Sequence, residues 1–546
     1  MKILRNVIFP VILILFHNVE SKTKVDPLVD TNVGLIRGQQ ATDGDYSMFM
    51  GIPYAKISDS NPFGPSTPYE KFETIFEAYD DTATCPYVDL SNNIFGSLDC
   101  LTLNIYVPNS ASSSNLMPVM VYIYGGNFER GSAEKSMYGP KFLVRHDVIL
   151  VVINHRIGLY GFMCLHIPEV PGNQGLKDQV LALRWIKDNI QSFGGDANKI
   201  TIFGESSGGR SVDFHLISPQ EKLFNNAILQ SGTSLTRDTI FEADTEAPLK
   251  LAEKLGFPTD SVYEALSYLS TVQPKLVIAA SIELDLVIKP CVEKDIENVE
   301  KFITDYTYNL DIPKAKDTPV LLGYNDHEQV ARYADKPPEF FNDLNIIYER
   351  LKDYFNFGKE LDEKVKNVHH FYLGDEAISP ETMWEIINFD SVFSYNHPTE
   401  RTIKMYLENG AKDIYYYVFS YVGGRNFYKD GRNVTVGGAS HADELGYLFD
   451  MQSKYSDDPS EEDQLTIDRI TTLWTNFAKF SNPTPETSEL LPIQWEPVTK
   501  DIYYFYNIGS EVNLEKRPFH KDTAFWDLFY KENWKFQKGY RERGSK

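Results

Sequence analysis

The chain alternates short apolar runs with longer amphipathic segments. Val119 to Tyr124 is apolar on successive positions and ends in Gly125-Gly126. Val148 to Ile153 repeats the pattern and ends in Asn154-His155-Arg156. Runs without polar alternation predict strands covered on both faces, as in a parallel sheet. Between them and the next strand, Leu176, Val180, Leu183, Ile186 and Ile190 recur at spacings of three and four, which predicts a helix closed by Gly194-Gly195-Asp196. Ile200 to Phe203 then runs straight into Gly204-Glu205-Ser206-Ser207-Gly208-Gly209. Ala227–Leu229, Val320–Leu322 and Tyr415–Val422 supply three further strands. Strand and helix in alternation predict an α/β fold with a large, mostly parallel sheet flanked by helices. The Ser-rich stretch 109–115 reads as an exposed loop. No repeat and no composition shift marks a boundary, so one large domain is expected.

The first residues change the picture. Lys2 and Arg5 precede an apolar run from Val7 to Phe16, then small and polar residues near Ser21. About ten apolar residues cannot cross a bilayer that needs about 20. The layout predicts a secretory signal peptide over residues 1–21 and a mature, secreted or luminal chain over 22–546. The expected glycosylation acceptor is Asn433, in Asn433-Val434-Thr435. With 53 Lys and Arg against 77 Asp and Glu, the net charge is −24. Such a chain repels nucleic acid and anionic membranes. Four cysteines in 546 residues exclude a disulfide-dense scaffold. Cys85 and Cys100 could close a loop stabilising by about 3 kcal/mol. Cys164 and Cys291 are far apart and read as buried thiols.

Candidate chemistry lies in three separated places. Gly204-Glu205-Ser206-Ser207-Gly208 fits G-x-S-x-G, a turn that lifts a serine hydroxyl above the end of a strand. Serine needs a histidine to take its proton and an acid to orient that histidine. His441 stands in a glycine-containing loop after the 415–422 run. Glu328 and Asp326 both lie in the loop leaving the 320–322 strand, and local sequence does not choose between them.

These residues resemble the type-B carboxylesterase and cholinesterase family of α/β hydrolases. The resemblance rests on Phe49-Met50-Gly51-Ile52-Pro53-Tyr54-Ala55, Asp99-Cys100-Leu101-Thr102-Leu103-Asn104-Ile105-Tyr106-Val107-Pro108, Tyr124-Gly125-Gly126-Asn127-Phe128 and Gly194-Gly195-Asp196-Ala197-Asn198. Thr201-Ile202-Phe203-Gly204-Glu205-Ser206 and Gln230-Ser231-Gly232 complete it. It implies Ser206 as nucleophile, Glu328 as acid and His441 as base. It implies an oxyanion hole from the N–H groups of Gly126, Asn127 and Ser207, and a Cys85–Cys100 disulfide. The expected activity is hydrolysis of small-molecule carboxylic esters, with no metal or organic cofactor.

Some positions depart from the family pattern. Asn127 replaces a third glycine and sets a side chain beside the oxyanion hole. Arg210 stands where a small residue is usual, with Asp213 three positions on as an expected partner. Gln329 replaces a glycine after the acid, and Thr67 and Leu98 replace an ion pair. Cholinesterase chemistry is the runner-up, but it needs an aromatic surface for a quaternary ammonium. The stretch from Pro86 to Asp99 holds Tyr87 and Phe95 and no tryptophan. A non-catalytic binding or adhesion role on the same fold is the other alternative. The sequence does not name the ester or the oligomeric state.

Overall fold

The computed structural model describes residues 27–89 and 91–540; the signal-peptide reading lies outside them. An eleven-stranded sheet organises the chain. Its strands are β1 (Gln39–Gln40), β2 (Tyr46–Pro53), β3 (Thr102–Pro108), β4 (Met117–Ile123), β5 (Ile149–Ile153) and β6 (Gly195–Glu205). The set continues with β7 (Asn226–Gln230), β8 (Val320–Asn325), β9 (Ile414–Phe419), β10 (Tyr504–Ile508) and β11 (Val512–Lys516). The spatial order is β11-β10-β9-β8-β7-β6-β4-β5-β3-β2-β1. From β5 to β10 all neighbours are parallel, and the outer pairings are antiparallel. The apolar runs predict this mostly parallel sheet, and the family resemblance implies its α/β-hydrolase form.

The register of β4 and β5 explains why those runs lack alternation. Val119, Val121 and Ile123 join one core cluster, together with Ile149, Val151 and Ile153. Met120, Tyr122, Leu150 and Val152 join the opposite one. Each face is then covered by a helix. Helix α1 (Gln174–Asn189) packs Leu176, Val180, Leu183 and Ile186 on the first face. Helix α3 (Glu461–Phe480) packs Ile467, Ile470, Leu473, Trp474 and Phe477 on the second. Between them in sequence, α2 (Ser207–Ile217) follows β6 without a gap beyond Ser206. A third cluster gathers Ile346, Leu351, Phe389, Phe393 and Trp526, mostly from helices between β8 and β9.

Two expectations are corrected. The 415–422 strand ends at Phe419. Cys164 and Cys291 are not free thiols: Cys85 pairs with Cys100, and Cys164 with Cys291. Sequence distance misled because a disulfide requires only that the fold bring two cysteines together. A parallel bridge between Phe241 and Cys291 and the hydrogen bonds between Asn173 and the backbone of Cys291 do that here.

Candidate active site

Parallel strands deliver their C-terminal ends to one edge, and the candidate residues collect there. Ser206 follows β6 directly. Its backbone is in a strained region, φ 55° and ψ −122°, and its N–H donates to Gln230 O at 2.8 Å. The glycines around it are required by close approach. A Cβ on Gly208 would collide with the carbonyl oxygen of Ile123, and one on Gly204 with the backbone of Gly208. The turn is therefore tight enough to bring the N-terminus of α2, with its partial positive charge, directly behind the hydroxyl.

Glu328 leaves β8 and His441 lies in the loop after β9. Glu328 is 1% exposed, and its two oxygens divide their work. One accepts from Asn325 N at 2.8 Å and from the Ser231 hydroxyl at 2.6 Å. The other faces His441 Nδ1 at 2.6 Å. The backbone adds a tie from His441 N to Glu328 O at 3.0 Å. Asp326, the local competitor, instead accepts from Ala439 N at 2.7 Å and pins the histidine loop. His441 Nε2 points back to the serine turn, 3.1 Å from Glu205 Oε1. Glu328 and His441 are thus in contact at one edge of the sheet, and His441 reaches Glu205, the residue before Ser206; among the described residues no hydrogen bond joins the Ser206 hydroxyl to His441.

Buried carboxylates surround this histidine. Burial pushes the Glu205 carboxyl up to about 8, with His441 opposing and the neighbouring Glu444 and Glu328 adding to the rise. Burial likewise pushes Glu444 up to about 7 against donors from Asn325 and Gln230. Burial opposes charge on His441, but Tyr395, Glu205 and Glu328 outweigh it and hold the imidazole well above its ordinary value. Tyr395 lies 4.7 Å from the imidazole, ring centre to ring centre. It sits in a π-helical turn, Val392–Asn396, a feature that often marks functional sites.

The loop after β4 carries the expected oxyanion donors. Gly126 and Asn127 adopt φ of 128° and 61°, and among the described residues neither N–H makes a hydrogen bond. Asparagine tolerates this left-handed backbone better than most residues. The side chain of Asn127 turns to Glu129, with Nδ2 donating to Oε2 at 3.1 Å. Ser207 begins α2, where a helix leaves its first N–H groups without intrahelical partners. Its hydroxyl accepts from Phe128 N at 3.2 Å and clamps the two loops together.

Of the other departures, the expected Arg210–Asp213 pairing is corrected. Arg210 does not pair with Asp213. Asp213 takes the Ser234 N–H at 2.6 Å and the Tyr406 hydroxyl, whereas Arg210 donates to the carbonyl of Asp238 at 3.3 Å. Gln329 has φ −101°, so no glycine is needed there. Leu98 packs against two core clusters, and Thr67 pairs with Lys56 in a two-stranded ribbon. Sequence reasoning missed Glu205 and Ser231, which lie inside the quoted motifs. It also missed Tyr395, for which the sequence carries no signal.

Comparison with known proteins gives the family. The sequence profile of the carboxylesterase family matches residues 25–526. Juvenile hormone esterase of Tribolium castaneum is 32% identical over 508 residues, covering 86% of each chain. Esterase FE4 of Myzus persicae is 32% identical over 500 residues, again 86% of each. The crystal structure of juvenile hormone esterase from Manduca sexta, with OTFP covalently attached, superposes with a TM-score of 0.79 at 25% identity, over 93% of this chain and all of that one. The chain belongs to the carboxylesterase family of ester-hydrolysing enzymes.

Proposed function

We propose that this protein is a secreted serine carboxylesterase that hydrolyses carboxylic esters through an acyl-enzyme. The observation carrying the proposal is the Glu328–His441 contact at 2.6 Å beside the strained Ser206 turn. In the first half-reaction, the Ser206 hydroxyl attacks the ester carbonyl and His441 Nε2 takes its proton. The carbonyl oxygen becomes an oxyanion facing the N–H groups of Gly126, Asn127 and Ser207, each such donor typically contributing about 3 kcal/mol. His441 returns the proton to the departing alkoxide, which leaves as alcohol. In the second half-reaction water attacks the acyl-serine, gives its proton to His441, and Ser206 is restored as the acid departs. Glu328 holds the imidazole by Nδ1, so that Nε2 faces the serine turn, and stabilises its charged form.

Two disulfides fit an oxidising compartment, and Asn433 is exposed and open to a glycan. A choline ester is disfavoured, since Tyr87 and Phe95 stack on each other with ring centres 5.7 Å apart instead of presenting a tryptophan face. The test is hydrolysis of nitrophenyl esters of graded acyl length by the purified mature chain. Ser206→Ala should lower the rate by several orders of magnitude. An unchanged rate would show that the nucleophile is another group.

A further inference from the structure

Arg210 lies one turn of α2 beyond Ser206, and its N–H bonds to Ser206 O at 2.9 Å. Residues four apart share a helix face, and helical side chains lean towards the N-terminus, here towards the nucleophile. Arg210 is only 4% exposed. Among the described residues its side chain makes one hydrogen bond, to a neutral carbonyl, that of Asp238, and its Nε has no partner. Among the described residues it forms no ion pair. Leaving a guanidinium buried without a carboxylate is costly unless something else neutralises it.

The neighbouring acids are already engaged. The Asp238 carboxylate is held by Arg237. Glu129 is shared by Lys289 at 3.5 Å, Arg130 at 3.7 Å and the Asn127 amide. Asp390 is taken by Arg350 through two hydrogen bonds. Glu205 turns to His441. Against the four carboxylates Asp238, Glu129, Asp390 and Glu205 stand five cations: Arg210, Arg237, Lys289, Arg130 and Arg350. This local excess sits in a chain of net charge −24. It also borders the reaction centre: the Arg210 N–H bonds the Ser206 carbonyl one turn back, and both Tyr395, the ring against His441, and the Glu205 carboxyl interact with its charge. Contacts run from the Asn127 amide through Glu129 to Lys289, and the Asp238 carboxylate interacts with Lys289 while its carbonyl bonds Arg210, which links Arg210 to the oxyanion loop.

We propose that Arg210 forms an anion-recognition subsite inside the catalytic site, and that the preferred substrate is an ester carrying a carboxylate a few carbons from its scissile bond. The substrate carboxylate accepts charge-assisted hydrogen bonds from the free guanidinium edge, and hydrolysis of an acyl-side example releases a dicarboxylic acid. The inference rests on the esterase reading, because the subsite is placed relative to Ser206.

The test compares matched ester pairs. Nitrophenyl hemiglutarate against nitrophenyl pentanoate places the charge on the acyl side. The acetate ester of 4-hydroxybenzoate against 4-methylphenyl acetate places it on the alcohol side. Arg210→Met should reduce the charged-to-neutral ratio of kcat/KM by roughly 10- to 100-fold in at least one pair, and Arg210→Lys should retain part of it. The pair that responds gives the side on which the carboxylate lies. A ratio unchanged by Arg210→Met in both pairs overturns the proposal. A readout independent of catalysis is thermal unfolding with millimolar glutarate. Tm should rise for the wild-type chain and not for Arg210→Met; no rise for the wild type, or equal rises for both, would also overturn it. Failure to hydrolyse any of the four esters would refute the esterase reading, while the glutarate shift still decides the subsite.

Discussion

Removing the Cys164–Cys291 bridge should destabilise the protein more than removing Cys85–Cys100. The bridges span 127 and 15 positions respectively. A cross-link stabilises mainly by restricting the unfolded chain, with a term that grows as the logarithm of loop length. That gives about 5 kcal/mol for the long loop and about 3 kcal/mol for the short one. The native state should survive the change. Asn173 still bonds the backbone of Cys291 through both ends of its amide, at 2.8 and 3.0 Å, and reaches Glu293 at 2.7 Å. The loss therefore falls on the unfolded-state entropy and not on local collapse. The perturbation is Cys164→Ala with Cys291→Ala, set against Cys85→Ala with Cys100→Ala. Equilibrium urea unfolding reads the free energies, and alkylation without reductant checks that the wild-type chain has no free thiol. An independent variant acts from the native side: Gly172 has φ 116°, and a Cβ there would lie 2.7 Å from both sulfurs, so Gly172→Ala should also destabilise. A long-loop loss no larger than the short-loop loss would refute the reasoning, as would alkylation of Cys164 in the untreated protein.

Three further outcomes follow from the same geometry. Glu205, 3.1 Å from His441, has its carboxyl raised to about 8 and favours the charged imidazole only to the extent that it is ionised; with neutral His441 proposed as the base, Glu205→Gln should lower the histidine's raised pKa and move the acidic limb of the kcat/KM profile down, and a limb that stayed or rose would contradict it. Asn127→Gly removes a side chain that Glu129 holds fixed at 3.1 Å beside the oxyanion N–H groups, so it should raise kcat/KM for bulky acyl esters more than for acetates; equal changes across that series would show that Asn127 is no steric filter. Arg156 and Asp178 are both fully buried and bonded through Nε and Nη2 at 2.8 Å, so Arg156→Met should cost about 3–5 kcal/mol in urea unfolding by stranding a buried carboxylate, and a cost below about 1 kcal/mol would show that Asp178 finds another donor.

Local chemistry made much of this protein legible from its sequence. The unbroken apolar runs at 119–124 and 148–153 required two covered faces, and their side chains do divide between two cores. The three-and-four spacing from Leu176 to Ile186 fixed the buried stripe of α1. Gly204 and Gly208 identified the tight turn because no larger residue fits against the neighbouring backbone. Those signals are local: pleat, helical period and turn sterics act over a few residues. Tertiary structure decided whatever depends on which distant segments meet. It set Glu328 against His441 Nδ1, and Asp326, two positions before it, against Ala439 N, once β8 and β9 pair in register. It joined Cys164 to Cys291 across 127 positions. It brought Tyr395 from a helical insertion onto the imidazole. It also turned Arg210 away from Asp213, because Tyr406 and Ser234 reach that carboxylate first. Hydrogen-bond partners and charge compensation are properties of three-dimensional neighbourhoods, and sequence spacing along one helix does not encode them.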